Sequence, residues 1–329
     1  MARTRYASDP GLIARMGATM FLMGLLFAGF ATGIVYLVLF YGAHRHGGGG
    51  SGHINVDVLI AFAAIIGVGS AVASYYWSDK IALRTSGARL VSPNDSPDAA
   101  RLHAIVDRLC ALADMPKPRV AIAPTSMPNA FATGRSSKVA VLCATKGILD
   151  KLDDTELEGV LAHEMSHVAH KDVAVMTVAS LLGIVAALMV RFAFYSELFG
   201  GGGRGRGGNN NQSALLIIPI MLLSMVVYAV SFLLIRMLSR YRELAADRSG
   251  ALLTGRPSAL ASALVKVTGD MGKIPTQDLR KAEPLNAFYF APAIARRAGQ
   301  QNLAMLFSTH PSLEKRLAQL DKISKQLGK

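Results

Sequence analysis

Charge is what this chain has least of. Only 17% of its 329 residues are Asp, Glu, Lys or Arg, against about 25% in an ordinary soluble domain. At the same time 51% are hydrophobic and the mean hydropathy is +0.34. That balance excludes a disordered chain, which needs the opposite composition, and it fits a simple water-soluble enzyme poorly. Cysteine is scarce too. Cys110 and Cys143 are the only two, too few for a disulfide framework and not spaced as a CxxC zinc knuckle. They suit a reducing compartment, with both thiols as small core residues. Acids are the scarcer charge, 22 against 35 Lys and Arg, for a net +13. A basic excess can mark a nucleic-acid binder. Here the cations are spread along the chain and flank apolar runs, so they read as membrane-surface charge, and no nucleic-acid partner is expected.

What is present in quantity is apolar sequence. A bilayer core about 30 Å thick takes roughly 20 helical residues. Four runs reach or approach that length, at about 18–41, 58–77, 173–190 and 214–235, and none has an interior acid. The first exceeds the length of a signal-peptide core and a second follows it closely, so a retained anchor is expected. Basic residues cluster on one side of the expected spans: Arg3, Arg5 and Arg15 before the first, Lys80, Arg84 and Arg89 after the second, Arg236, Arg240 and Arg242 after the fourth. The two intervening loops hold only Arg45, and Arg204 with Arg206, while Arg191 sits at the outer end of the third run, where it can snorkel to the interface. The positive-inside bias therefore puts both termini and both long polar segments in the cytoplasm. Both outer loops are glycine-rich and read as flexible linkers, with His44, His46 and His53 as solvated turn residues.

Four segments result: a membrane hairpin at 1–80, a polar piece at 81–172, a second hairpin at 173–235 and a second polar piece at 236–329. The two polar pieces together are large enough for one core. Helical spacing is expected over 97–112, strands over 119–123 and 138–144, and an edge strand or hairpin arm over 127–134. Gly147 and Asp150 read as punctuation, and a helix then begins near Asp154 or Thr155. The fold class is α+β, mainly α.

On that last helix stands His163-Glu164-Met165-Ser166-His167. Residues four apart share a helical face about 6 Å apart, so two neutral imidazoles can bind one Zn2+ there. Glu164, beside the first ligand, is placed to take a proton from an attacking water and return it to the leaving amine. A catalytic zinc needs a third protein ligand. The metzincin pattern HExxHxxGxxH is excluded, because His170 stands at its glycine and Val173 at its third histidine. His170 itself lies about 10 Å along the axis from His163, too far for a ligand. The candidate lies after the fourth run, where Glu243 and Asp247 are again four apart in Arg240-Tyr241-Arg242-Glu243-Leu244-Ala245-Ala246-Asp247. Glu243 would complete the ligand set, and Asp247 would accept a hydrogen bond from a ligand histidine. Spacing alone also allows an ordinary solvated, salt-bridged face. Ala245 and Ala246 would let two helices approach closely.

Residues 147–172 with the HExxH motif, then Arg242-Glu243-x-x-Ala246-Asp247, then Ser308-Thr309-His310-Pro311, resemble the HtpX family of bacterial membrane zinc metalloproteases, relatives of the prenyl-protein (CAAX) endopeptidases. The resemblance covers nearly the whole chain, with the glycine-rich outer loops as the main departure. It implies a gluzincin-like domain in the cytoplasm with four transmembrane helices in two hairpins, in a bacterial inner membrane. It implies one Zn2+ held by His163, His167 and Glu243, with Glu164 as base. It also implies that Asn129, Ala130, Phe131 and Ala132 form a strand bordering the cleft, pairing with an extended substrate. Its expected partners are protein or peptide substrates, membrane proteins above all, together with membrane lipid and other quality-control proteases. His310, opening a C-terminal helix with Pro311 in its first turn, is a candidate donor to the tetrahedral oxyanion, or else a capping residue. Arg240 and Arg242 either buttress Glu243 or anchor the fourth span at the headgroups. A non-catalytic zinc-binding scaffold would need the ligands but not Glu164. Intramembrane proteolysis is disfavoured by Lys171 and Asp172 directly after the motif.

Overall fold

The computed structural model describes residues 10–43, 56–200, 211–271 and 310–328. The loop histidines His44, His46 and His53, and the arginines Arg3, Arg5, Arg45, Arg204 and Arg206, lie outside them. The chain divides into two compact units. One comprises Met1–Met16, Tyr75–Val175 and Arg236–Lys329, the other Gly17–Ser74 and Met176–Ile235.

The second unit is helical. Helices α1 (Pro10–Ala43) and α2 (Val56–Ser86) supply its first part. Its second part comes from the α6 and α7 helices, Asp172–Gly200 and Asn211–Thr254. Phe30 and Ile34 of α1 pack with Leu182, Ala186 and Met189 of α6 and with Ile220 and Val227 of α7. Among the described residues three helices are long and apolar enough to cross a membrane: Ile13–Leu37, Asp172–Arg191 and Ile218–Thr254. The second expected span falls within α2, where many side chains lie outside the described set.

The first unit is α+β. Its first strand, β1 (Arg89–Leu90), is followed by α3 (Pro97–Ala113). Helix α3 starts where Ser96 caps the Ala99 N–H with Pro97 behind it, and stops at Asp114 in the left-handed region, φ 54°. Leu102, Val106 and Leu109 are its fully buried face. Strands β2 (Arg119–Ala123), β3 (Ala130–Thr133) and β4 (Val141–Thr145) complete a four-stranded sheet in the order β1-β2-β4-β3. The β2–β4 pair is parallel, and β3 runs antiparallel to β4 at the sheet edge.

Helix α4 (Lys146–Lys151) follows β4 at once, with the Thr145 side chain accepting from the Ile148 N–H. Here the reading of Gly147 as punctuation fails. Gly147 is helical, and glycine because a Cβ would come within 2.1 Å of the Ser126 carbonyl oxygen. Helix α5 (Asp154–Ala169) opens on a capping box between Asp153 and Glu156. Helix α8 (Pro257–Met271) packs across it, and α9 (Leu313–Gln326) closes the unit. One apolar core joins α3, β4, α5, α8 and α9. His310 and Pro311 do not open α9: Ser312 is its N-cap, accepting from the Lys315 N–H, so both precede the helix.

Candidate metal centre

Helix α5 is buried on nearly every side over its middle, so His163 and Glu164 are enclosed rather than solvated. Helix α7 crosses it closely. Gly250 on α7 allows the approach, since a Cβ there would lie 2.9 Å from the His163 backbone nitrogen. The approach brings Glu243 between the histidines. His163 Nε2 and His167 Nε2 are 3.3 Å apart. The Glu243 carboxylate lies 3.6 Å from the first through Oε2 and 3.5 Å from the second through Oε1.

The other face of each ring fixes what those nitrogens are. His167 Nδ1 is 2.5 Å from Asp172 Oδ2, and His163 Nδ1 is 2.9 Å from Asp247 Oδ1. An imidazole that donates through Nδ1 presents a bare lone pair at Nε2. Two such lone pairs and a carboxylate then converge on one point. Three electron-rich groups at this separation repel unless a cation lies among them. A tetrahedral ion with bonds of about 2.0–2.1 Å has neighbouring ligand atoms about 3.3–3.4 Å apart, so the donor set fits a zinc-sized ion in chemistry and in spacing. His163, His167 and Glu243 form the group among the described residues with metal-holding geometry.

Electrostatics point the same way. Burial alone would lower the pKa of the His163 ring, but Asp247 and Glu243 outweigh it and push it up to about 9. The carboxylates around His163 favour positive charge on that ring, which either a proton or a bound cation in its place can supply. Glu164 is shifted upward by burial, with His163 and His167 pulling the other way. Its Oε2 accepts the Ala132 N–H of edge strand β3 at 3.1 Å.

The four residues expected to border a substrate differ in what they do. Asn129 exchanges backbone contacts with Thr145, giving its N–H to the Thr145 hydroxyl at 2.8 Å and accepting the Thr145 N–H at 2.9 Å. Antiparallel alternation then turns the backbone groups of Ala130 and Ala132 toward the open edge. The Phe131 side chain packs with Ala121, Ala123, Val141 and Cys143. Ala132 is the member that reaches the Glu164 carboxylate.

His310 is brought in, with Nδ1 3.1 Å from Glu243 Oε2. Arg242 pairs with Asp172 at 2.7 Å, while Arg240 is half-buried three residues before Glu243. His170 caps the end of α5, its N–H bonded to the Ser166 carbonyl. Two residues of the site are not predicted by the sequence. Asp172 reads there only as a marker of membrane depth, and Arg316, in α9, grips Asp247 through Nε at 2.7 Å and Nη2 at 2.6 Å. The signal for Asp172 is its place five residues after His167. Arg316 leaves one faint signal, an arginine in register with Leu313, Leu320 and Ile323.

The model of Peptidase family M48 matches residues 96–324, the stretch that contains strands β2 to β4, α5 and most of α9. Protease HtpX homolog 1 of Streptomyces coelicolor is 52% identical over 326 residues, covering 99% of this chain and 97% of its own. Protease HtpX homolog 2 of Methanosarcina acetivorans is 45% identical over 99% of this chain and all of its own, and the Moorella thermoacetica homolog is 46% identical. Among solved structures, Ste24p of S. mikatae is similar at a TM-score of 0.49 and 17% identity, over 93% of this chain and 66% of the longer one. With the family match covering most of the chain and the relatives matched over nearly all of it, the chain belongs to peptidase family M48, with the HtpX proteases as its relatives.

Proposed function

We propose that the protein is a zinc endopeptidase anchored in a membrane, cutting peptide bonds of damaged or misfolded membrane proteins at the cytoplasmic face. Membership of a peptidase family gives the reaction class, and three long apolar helices give the membrane setting. The observation that carries the metal is the convergence of His163 Nε2, His167 Nε2 and the Glu243 carboxylate.

Zinc bound there supplies a Lewis acid that polarises the scissile carbonyl and makes water acidic at neutral pH. Glu164, one residue from the first ligand and screened from bulk water, takes the proton of the attacking water and hands it to the departing amide nitrogen. Burial holds its carboxyl above the ordinary carboxylate range, nearer the neutral pH at which one group can both take and return a proton. The Ala132 N–H that now meets Glu164 lies on the open edge of β3, where an extended peptide can add as a further strand. Main-chain pairing asks little of the substrate's sequence, which suits a protease acting on varied damaged chains. His310, next to Glu243, is the candidate donor to the tetrahedral oxyanion.

The test is metal content and casein cleavage on the purified full-length protein. Wild type is expected to hold about one zinc per chain, and Glu243→Ala to lose most of it. Glu164→Gln is expected to keep its zinc while cleavage drops by about 10²–10⁴. A wild type that binds zinc tightly yet cleaves no protein in any detergent, like its Glu164→Gln variant, would mark a scaffold and refute the peptidase reading.

A further inference from the structure

We infer that Arg316 and Arg242 are positioning residues for the metal centre, each holding one ligand histidine through one aspartate. The inference rests on the reading of His163, His167 and Glu243 as metal ligands and adds what sets their geometry. Each histidine has the same chain of contacts behind it. Behind His163 stand Asp247 on α7 and Arg316 on α9; behind His167 stand Asp172 at the head of α6 and Arg242 on α7.

A carboxylate alone is a poor guide for an imidazole, because it rotates and offers either oxygen. The arginine removes that freedom. Arg316 grips both Asp247 oxygens with a guanidinium fork, and the oxygen it holds through Nη2, Oδ1, is the one that lies 2.9 Å from His163 Nδ1. The pair is sealed, with side-chain exposures of 2% and 0%, so its geometry is not blurred by water. On the second chain Asp172 Oδ2 meets both His167 Nδ1, at 2.5 Å, and Arg242 Nη2, at 2.7 Å. Asp172 returns to that position because Lys171 takes a left-handed conformation, φ 56°, between α5 and α6. A non-glycine residue is held there at some energetic cost.

Field and orientation make opposite predictions, which is what makes the idea testable. Two cations near the ligands weaken the attraction for a metal ion, so if they acted by charge alone, their loss would tighten binding. If they act by orientation, their loss weakens it, since outer partners of ligand histidines are worth about 10- to 100-fold in metal affinity. A second consequence separates positioning from mere packing of α9. Arg316 acts only through Asp247, so its loss has nothing further to undo once Asp247 no longer needs a countercharge.

The experiment is zinc affinity by chelator competition on the full-length protein in detergent, with circular dichroism to check folding. Arg316→Leu is expected to bind zinc about 10- to 100-fold more weakly. Arg316→Lys, which keeps the charge but not the fork, should lie between it and wild type. Asp247→Asn with Arg316→Leu removes the buried charges together, and should bind no more weakly than Asp247→Asn alone. Arg242→Gln, at the other histidine, should weaken zinc binding too, and it decides the matter if Arg316→Leu does not fold. Folded arginine variants that bind zinc as tightly as wild type or tighter, or losses that simply add in the double variant, overturn the inference and leave the metal site standing. A wild type that binds no zinc overturns both.

Discussion

Cys143 has no exposed surface on β4, and burial pushes its thiol up to about 12; burial also raises Cys110, on α3, to about 11. Both stand above the ordinary value of 9.0, so the folded state favours the neutral thiol. The sign follows. Below about 9 neither state ionises and the thiols do not affect stability; as pH rises through 9 the unfolded chain loses its thiol protons first, and stability falls between about 9 and 12. Iodoacetamide at pH 8 should therefore leave the native protein unmodified and alkylate two cysteines per chain after denaturation. Rapid native alkylation would show that these are not core residues. At this scale, local spacing is the readable part of the sequence. His163, Glu164 and His167 are neighbours on one helix, and period alone joins them. Asp247 and Arg316 are 69 positions apart, and a helical pattern assigns an arginine to solvent. Only the fold reveals that this one is 2% exposed.

Where two helices meet, the smallest side chain decides how near they come. On α7, Ser249, Gly250 and Ala251 are all buried, and Gly250 packs against the backbone of His163 itself. A methyl group there would meet His163 N at 2.9 Å and Cα at 3.1 Å, backbone atoms that cannot rotate away. Gly250→Ala must therefore part α5 from α7 by several tenths of an ångström. The expected cost is about 1–3 kcal/mol of stability, with a greater effect on zinc retention, because Glu243 rides on α7 and the histidines on α5. Thermal unfolding and bound zinc on the same sample check this; a Gly250→Ala protein that keeps its full zinc would mean that the helices yield without moving the ligands. Existence of the elements is well marked in the sequence by caps and apolar period, as Ser96 and Asp153 illustrate. Close approach is harder to read. Ala246 is buried, as a close contact requires, but the closest backbone approach shown, at Gly250, is one that only three-dimensional packing reveals.

Over the whole molecule, one compact unit is assembled from sequence on both sides of a long apolar segment: α5 ends at Ala169, and Glu243 arrives on the far side of 173–235. Assembly of the two polar pieces on one side needs an even number of crossings between them, which Asp172–Arg191 and Ile218–Thr254 supply if both cross. Whether α2 also crosses decides on which side the N-terminus lies, and its 31 residues make about 46 Å of helix, ample for a bilayer. The charge asymmetry agrees with four crossings, with Arg15, Lys80, Arg84, Arg89, Arg236, Arg240 and Arg242 on one side against Arg45, Arg191, Arg204 and Arg206 on the other. Parity makes this measurable. In a background of Cys110→Ala and Cys143→Ala, single cysteines are placed at Thr4 and Lys325 near the termini, and at Ser51 and Asn209 in the two loops. A membrane-impermeant maleimide applied to spheroplasts should label Ser51→Cys and Asn209→Cys at once, and Thr4→Cys and Lys325→Cys only after lysis. If α2 did not cross, Thr4→Cys and Lys325→Cys would lie on opposite sides, one labelled before lysis and the other after. If the orientation were reversed, all four would exchange, and the cytoplasmic proteolysis proposed for this protein would be ruled out.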